Sequence, residues 1–175
     1  MAANGGGDPF DRHVFACVLS IGAAEAPRPL PHAVGLSPAE LARLVATFFP
    51  EADWLALGGA LDAGPDSPEE ADLRRLLEDH ATRPNSDESR WLAAMVARRS
   101  LKPSHLWQDL GLAERGDLSR LLRRHFGPLA ARNTRDMKWK KFFYRTMCEQ
   151  EGLSICKSPV CDDCSDFGQC FGPET

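Results

Sequence analysis

Four of the chain's six cysteines, Cys156, Cys161, Cys164 and Cys170, fall within fifteen residues at the spacing C-x4-C-x2-C-x5-C. Thiolates are soft ligands that suit zinc and iron–sulfur clusters. Structural zinc usually takes two separated pairs, so that two knuckles meet around a tetrahedron. Here all four thiols sit on one continuous segment. The first three match the C-x4-C-x2-C spacing of plant-type iron–sulfur proteins, although the fourth lies much closer than in that class. The spacing favours a cysteine-bound iron–sulfur cluster, with a zinc site or a redox thiol set as the other readings. The residues after Gly152 show no hydrophobic periodicity, so ligand bonds would have to supply the order that packing does not.

Other reactive side chains carry weaker signals. Cys17 sits in an apolar run and reads as a small buried hydrophobe. Cys148 falls opposite the Trp139/Phe143/Met147 stripe and reads as inert, with a fifth ligand as the alternative. The five histidines form no ligand pattern, and His105 and His125 read as capping or packing residues. Paired catalytic carboxylates, a nucleophile with its base and a phosphate loop are all missing from the pattern, which points to a carrier rather than an enzyme.

Charge is segregated along the chain. From Arg115 to Met147 there are ten Lys or Arg against two acids, whereas Cys148 to Thr175 holds six acids against Lys157. Within a chain of net charge −4 this sets a basic zone beside an acidic, cysteine-rich tail. Arg132, Arg135, Lys138 and Lys140 crowd a helix start, where the dipole disfavours cations. Lys138, Lys140, Lys141 and Arg145 lie on the helix leading into the cysteine segment, so they are candidates for attracting an oxyanion or bracing an anionic cluster. A solvated helix face is the plainer account.

The elements that must position these groups read as helices. Ser37-Pro38-Ala39-Glu40 is a capping box ahead of Leu41, Leu44, Val45 and Phe48, and Ser67-Pro68-Glu69-Glu70 repeats it ahead of Leu73, Leu76 and Leu77. Asp87 opens a segment with Trp91, Leu92, Met95 and Val96. A helix from Asp117 carries Leu118, Leu121, Leu122 and Phe126 and closes at Gly127-Pro128. Another, from about Asp136, carries Trp139, Phe142, Phe143 and Met147 and ends near Gly152. Phe10 to Leu19 leans helical. No stretch alternates as a strand, so the fold class is all-α. The Pro/Gly-rich stretches Gly22 to Gly35 and Gly58 to Pro68 read as surface loops.

With 43 % hydrophobic and 26 % charged residues in 175, the chain suits one globular domain: a disordered tail at 1–9, a helical body at 10–152 and an irregular cysteine-rich loop at 153–175. No apolar run reaches membrane-spanning length, and the N-terminus lacks a basic leader. The expected compartment is the cytosol, where thiols stay reduced, and this argues against disulfides. One competing function also needs weighing. Ser104 to Leu112 and the helix after it have the length of a helix–turn–helix around Gly111, with Arg120, Arg123 and Arg124 available to DNA. That gives an iron–sulfur-dependent regulator as the second reading and a zinc-stabilised interaction module as the third.

Met137-Lys-Trp-Lys-Lys-Phe-Phe-Tyr-Arg145, the Cys148-Glu-Gln-Glu-Gly152 that follows, and the four-cysteine motif ending Cys170-Phe-Gly172 resemble the NifQ family of nitrogen fixation proteins. His105-Leu-Trp-Gln-Asp-Leu-Gly-Leu112 and Arg120-Leu-Leu-Arg-Arg-His-Phe126 fit the same family. The likeness covers about Ala93 to Gly172. It implies a molybdenum donor for the nitrogenase iron–molybdenum cofactor, with molybdenum and an iron–sulfur cluster of 4Fe–4S or Mo–3Fe–4S type as its cofactors. It further implies a cofactor-assembly scaffold and the nitrogenase iron protein as partners and molybdate as the source, with no membrane or nucleic acid. Three thiolates would hold irons and the fourth would hold or release molybdenum. Asp162, Asp163, Asp166, His105 and His125 are candidates to complete its ligand set.

Overall fold

The computed structural model describes residues 7–25, 27–52, 67–150 and 167–172. Its helices are α1 (Pro9–Ala23), α2 (Leu30–Val34), α3 (Pro38–Phe48), α4 (Pro68–Asp79), α5 (Asp87–Ser100), α6 (Leu106–Asp109), α7 (Arg115–His125), α8 (Gly127–Ala130), α9 (Trp139–Gln150) and α10 (Phe167–Phe171). Among the described residues there is no strand, as an all-α reading requires.

Local chemistry sets most of the helix starts. At α3 the capping box is complete: Ser37 Oγ accepts from the Glu40 amide, and the Glu40 carboxylate accepts from the Ser37 amide at 2.9 Å. At α4 only half of it forms. Ser67 Oγ accepts from the Glu70 amide, but the Glu70 side chain turns inward to Arg98. Ser86, one residue before the expected Asp87, caps α5 by accepting from the Ser89 amide. α7 starts at Arg115, two residues before the expected Asp117. α1 begins inside the expected tail, because Asp8 caps it by accepting from the amides of Phe10 and Asp11.

α5 is the central element. Every residue from Trp91 to Ser100 is buried, as expected of a helix enclosed on all sides, and it packs against α2, α3, α4 and α6. Phe15 of α1 and Phe48 of α3 pack against each other with ring centroids 4.8 Å apart, and Phe15 meets Trp91 edge-on. Burying Arg98 and Arg99 on such a helix requires partners. Arg98 Nε donates to Glu70 at 2.8 Å and its Nη1 to the His32 carbonyl. Arg99 donates to the Asp109 carbonyl and to Glu25. These contacts fold α2 onto α5, so the expected Gly22–Gly35 loop contains a helix whose Leu30, Ala33 and Val34 are core. The connector Gly58 to Pro68 lies mostly outside the described residues.

The expected helix–turn–helix is not formed in the usual proportions. Its first helix, α6, is a single turn of 4 residues. Gly111 follows at φ 71°, with the Cys17 carbonyl so near that a Cβ there would sit 2.9 Å from its oxygen. The turn is thus buried against α1. Two arginines of the expected DNA face serve the same junction: Arg124 pairs with Asp8 and Asp11, each at 2.9 Å, and the Arg120 guanidinium lies 4.0 Å from the Phe10 ring centroid.

Candidate metal centre

Three of the four proposed cluster ligands, Cys156, Cys161 and Cys164, lie outside the described residues. So do Asp162, Asp163 and Asp166. The centre is therefore read from what bounds it, and α9 does most of the bounding. Trp139 Nε1 donates to Ser119 Oγ of α7 at 3.2 Å. Lys140 Nζ donates to the carbonyls of Lys102 and Ser104 and pairs with Asp109 of α6. Phe142 and Phe143 enter the core, and the Tyr144 hydroxyl donates to Glu69 of α4. Burial and that carboxylate both raise the Tyr144 pKa above its ordinary 10, so it stays a donor. Successive residues of the Trp-Lys-Lys-Phe-Phe-Tyr run thus lock one helix onto α4, α6 and α7.

Lys140, a candidate for bracing a cluster or attracting an oxyanion, is engaged within the body. An ammonium has three donors, and here all three are directed at acceptors there, which positions α9. Lys141 is exposed. Lys138 is half-buried, with Nζ 3.5 Å from the Gly168 carbonyl, and Arg145 pairs with Glu149 one turn on at 2.7 Å.

The helix does not start at Asp136 as periodicity suggested. Asp136 has φ 53°, a left-handed conformation that Asp and Asn tolerate best among residues with a Cβ. Arg115 holds it there, donating to the Asp136 carboxylate at 2.8 Å and to the carbonyls of Asp136 and Met137. Asn133 closes the same loop, its amide donating to the Met137 carbonyl and its oxygen accepting from the Met137 amide, both at 2.8 Å.

The cysteine segment returns to this corner. The Lys138 amide donates to the Cys170 carbonyl at 2.8 Å, which occupies one of the helix-start donors that α9 leaves unpaired. Cys170 and Phe171 pack half-buried against the core, and the Arg135 guanidinium lies 5.1 Å from the Phe171 ring centroid. The stretch around Cys170 is therefore helical rather than irregular. Gly172 ends it: its amide donates to the Gly168 carbonyl at 2.9 Å, and a Cβ there would come within 2.4 Å of that oxygen. The last described residue before Cys156, Cys161 and Cys164 is Gln150 at the end of α9, and Cys170 after them is bonded to Lys138 just ahead of its start.

Elsewhere among the described residues, no three His, Cys, Asp or Glu side chains converge as metal ligands. His125 is fully buried, with Nε2 2.9 Å from Asp11 and Nδ1 3.4 Å from Ser89 Oγ, so both ring nitrogens are used internally. It packs in the body, as its position suggested. The His105 amide donates to Gln108 at the start of α6. Cys17 is half-buried, and burial together with Asp117 raises its thiol pKa. Cys148 is half-buried. The anchoring roles of Trp139 and Tyr144, which fasten α9 to α7 and α4, were not assigned by periodicity. Their one legible signal was membership in the aromatic–basic run.

The NifQ family profile matches residues 14–172, which takes in the four-cysteine segment and reaches well beyond the Ala93 boundary of the motif likeness. A NifQ homologue of Sinorhizobium fredii is 46 % identical over 93 % of this chain and 72 % of its own length. NifQ of Rhodobacter capsulatus is 40 % identical over 98 % of this chain and 96 % of its own. NifQ of Azotobacter vinelandii is 39 % identical over 83 % of this chain and 80 % of its own. No solved structure matches.

Proposed function

The chain belongs to the NifQ family of nitrogen fixation proteins, and from that premise we propose that it carries molybdenum in a cysteine-bound Mo–Fe–S cluster and donates it to assembly of the nitrogenase iron–molybdenum cofactor. In this reading Cys156, Cys161, Cys164 and Cys170 supply the thiolates. The cofactor-assembly scaffold and the nitrogenase iron protein are the partners, and the protein acts as a carrier without turnover chemistry of its own.

The observation that carries the proposal is the anchoring of the cysteine segment at both ends of α9. Gln150 closes that helix, and Cys170 is bonded to Lys138 just ahead of its start. A helix of 12 residues spans about 18 Å. Tying down both ends of the intervening chain removes much of the loop-closure entropy that ligand bonds would otherwise have to overcome.

Metal analysis tests this. Protein purified without oxygen should contain iron, sulfide and molybdenum. Cys161→Ala should bring iron to background, while Cys17→Ala should leave it unchanged. Zinc without iron or sulfide would overturn the cluster, and iron retained by the Cys161 variant would overturn the ligand assignment.

A further inference from the structure

Beside the Cys170 anchor lies a recess of about 180 Å³. The loop after α8 contributes Arg132, Asn133 and Arg135, α9 contributes Arg145 and Glu149, and Phe142 forms part of an apolar floor. We infer that this recess binds a small tetrahedral oxyanion.

Charge is the first argument. Among the described residues, three guanidinium groups and one carboxylate line the recess, and the carboxylate of Glu149 pairs with Arg145. Three arginines gathered at one recess, on a chain of net −4, make a local positive field that favours an anion. Arg132 is exposed. Among the described residues no carboxylate lies within 4.0 Å of it; its recorded neighbour is the His80 imidazole, Nε2 to Nη1 3.5 Å. Guanidinium groups present paired donors in a planar fork that matches the oxygens of a tetrahedral anion.

Size and rigidity agree. The volume corresponds to about six liquid waters, enough for such an anion with some of its hydration and well below the roughly 300 Å³ at which pockets for larger ligands begin. The loop is fixed before any ligand arrives, by the Asn133–Met137 bonds and the Arg115–Asp136 pair, so little ordering is needed on binding. Arg135, which lines the recess, also covers Phe171, the neighbour of Cys170, so one side chain links the recess to the stretch that carries a proposed thiolate ligand. The identity of the anion rests on the proposed function: in that reading it is molybdate, held next to the cluster that takes it up.

Equilibrium dialysis of the full, cluster-free chain against molybdate tests the site without using the cluster. Saturable uptake of one anion per chain is expected, weaker at high salt and displaced by sulfate. Arg132→Gln should weaken it about tenfold or more, the loss of one charged hydrogen-bonding partner. Arg145→Lys, which keeps the charge but not the fork, should weaken it less. Arg123→Gln, an exposed charge on α7, should not change it. Absence of saturable uptake, or equal weakening by the Arg123 and Arg132 variants, would overturn the inference. Cys161→Ala should still take up molybdate. If it does not, the thiols hold the anion and the recess does not. Uptake by the recess in a protein that never acquires iron would keep the anion site and discard the cluster carrier.

Discussion

His125 shows how a potentially reactive arrangement is used as a fastener. Asp11, His125 and Ser89 are linked in series, and each is buried. Ser86 donates to Ser89 Oγ, which leaves the Ser89 proton for His125 Nδ1 and assigns the imidazole proton to Nε2, facing Asp11. No substrate can reach this line; it joins α1, α5 and α7. Burial holds the His125 pKa below its ordinary 6.5, with Arg124 and Arg83 adding to the effect and Asp11 only partly opposing it. The unfolded chain therefore takes up the proton first as pH falls. This contribution to stability is fully present above pH 6.5 and is lost progressively below it, by at most about 1.4 kcal/mol per pH unit. Thermal midpoints at pH 7.5 and 5.5 should drop further in the parent than in His125→Gln; parallel drops would refute the assignment.

At the scale of elements, α4 and α5 are joined by a charge pair that the capping pattern concealed. Glu70 and Arg98 have side chains only 2 % exposed and lie 2.8 Å apart. Removing one member leaves the other charged and buried, which typically costs about 3–5 kcal/mol. The Ser37 cap sits at the half-buried start of α3, where Ser→Ala typically costs about 1 kcal/mol. Urea unfolding should accordingly place Glu70→Ala far below Ser37→Ala in stability. Similar midpoints for the two variants would mean that the pair does not hold the helices together.

The whole molecule separates into a body that folds by apolar burial and a cysteine segment tied to it. The core runs from Phe10 to Phe143 and is built from helices with their own apolar stripes. Removing metal should therefore preserve helical circular dichroism, and its complete loss on chelation would contradict this division. The junction should respond. The Lys138 amide is held by the Cys170 carbonyl, whereas the Phe142 amide is held by the Lys138 carbonyl in the first turn of α9. Hydrogen exchange should quicken at Lys138 on metal removal while Phe142 stays protected. No helix among the described residues is long and apolar enough to cross a membrane.

What the sequence determined by itself is what depends on near neighbours. The Ser37 box, the apolar stripes of α3, α4, α5, α7 and α9, and the helical rather than strand character of Phe10 to Leu19 all rest on residues within a turn or two of each other. The family, too, was legible, because its motif is a run of residue types at fixed spacing. Tertiary structure decided the destinations of long polar side chains. Lys140 looked like a surface cation and proved to be a bolt to Asp109; Glu70 looked like half of a cap and pairs with an arginine 28 positions away. α2 and α10 are too short, at 5 residues each, to be stable from local interactions, and both form where other elements cover them. The arginine recess was visible in the sequence only as crowded positive charge. Its concavity comes from packing the loop after α8 against α9, a contact that no local pattern specifies.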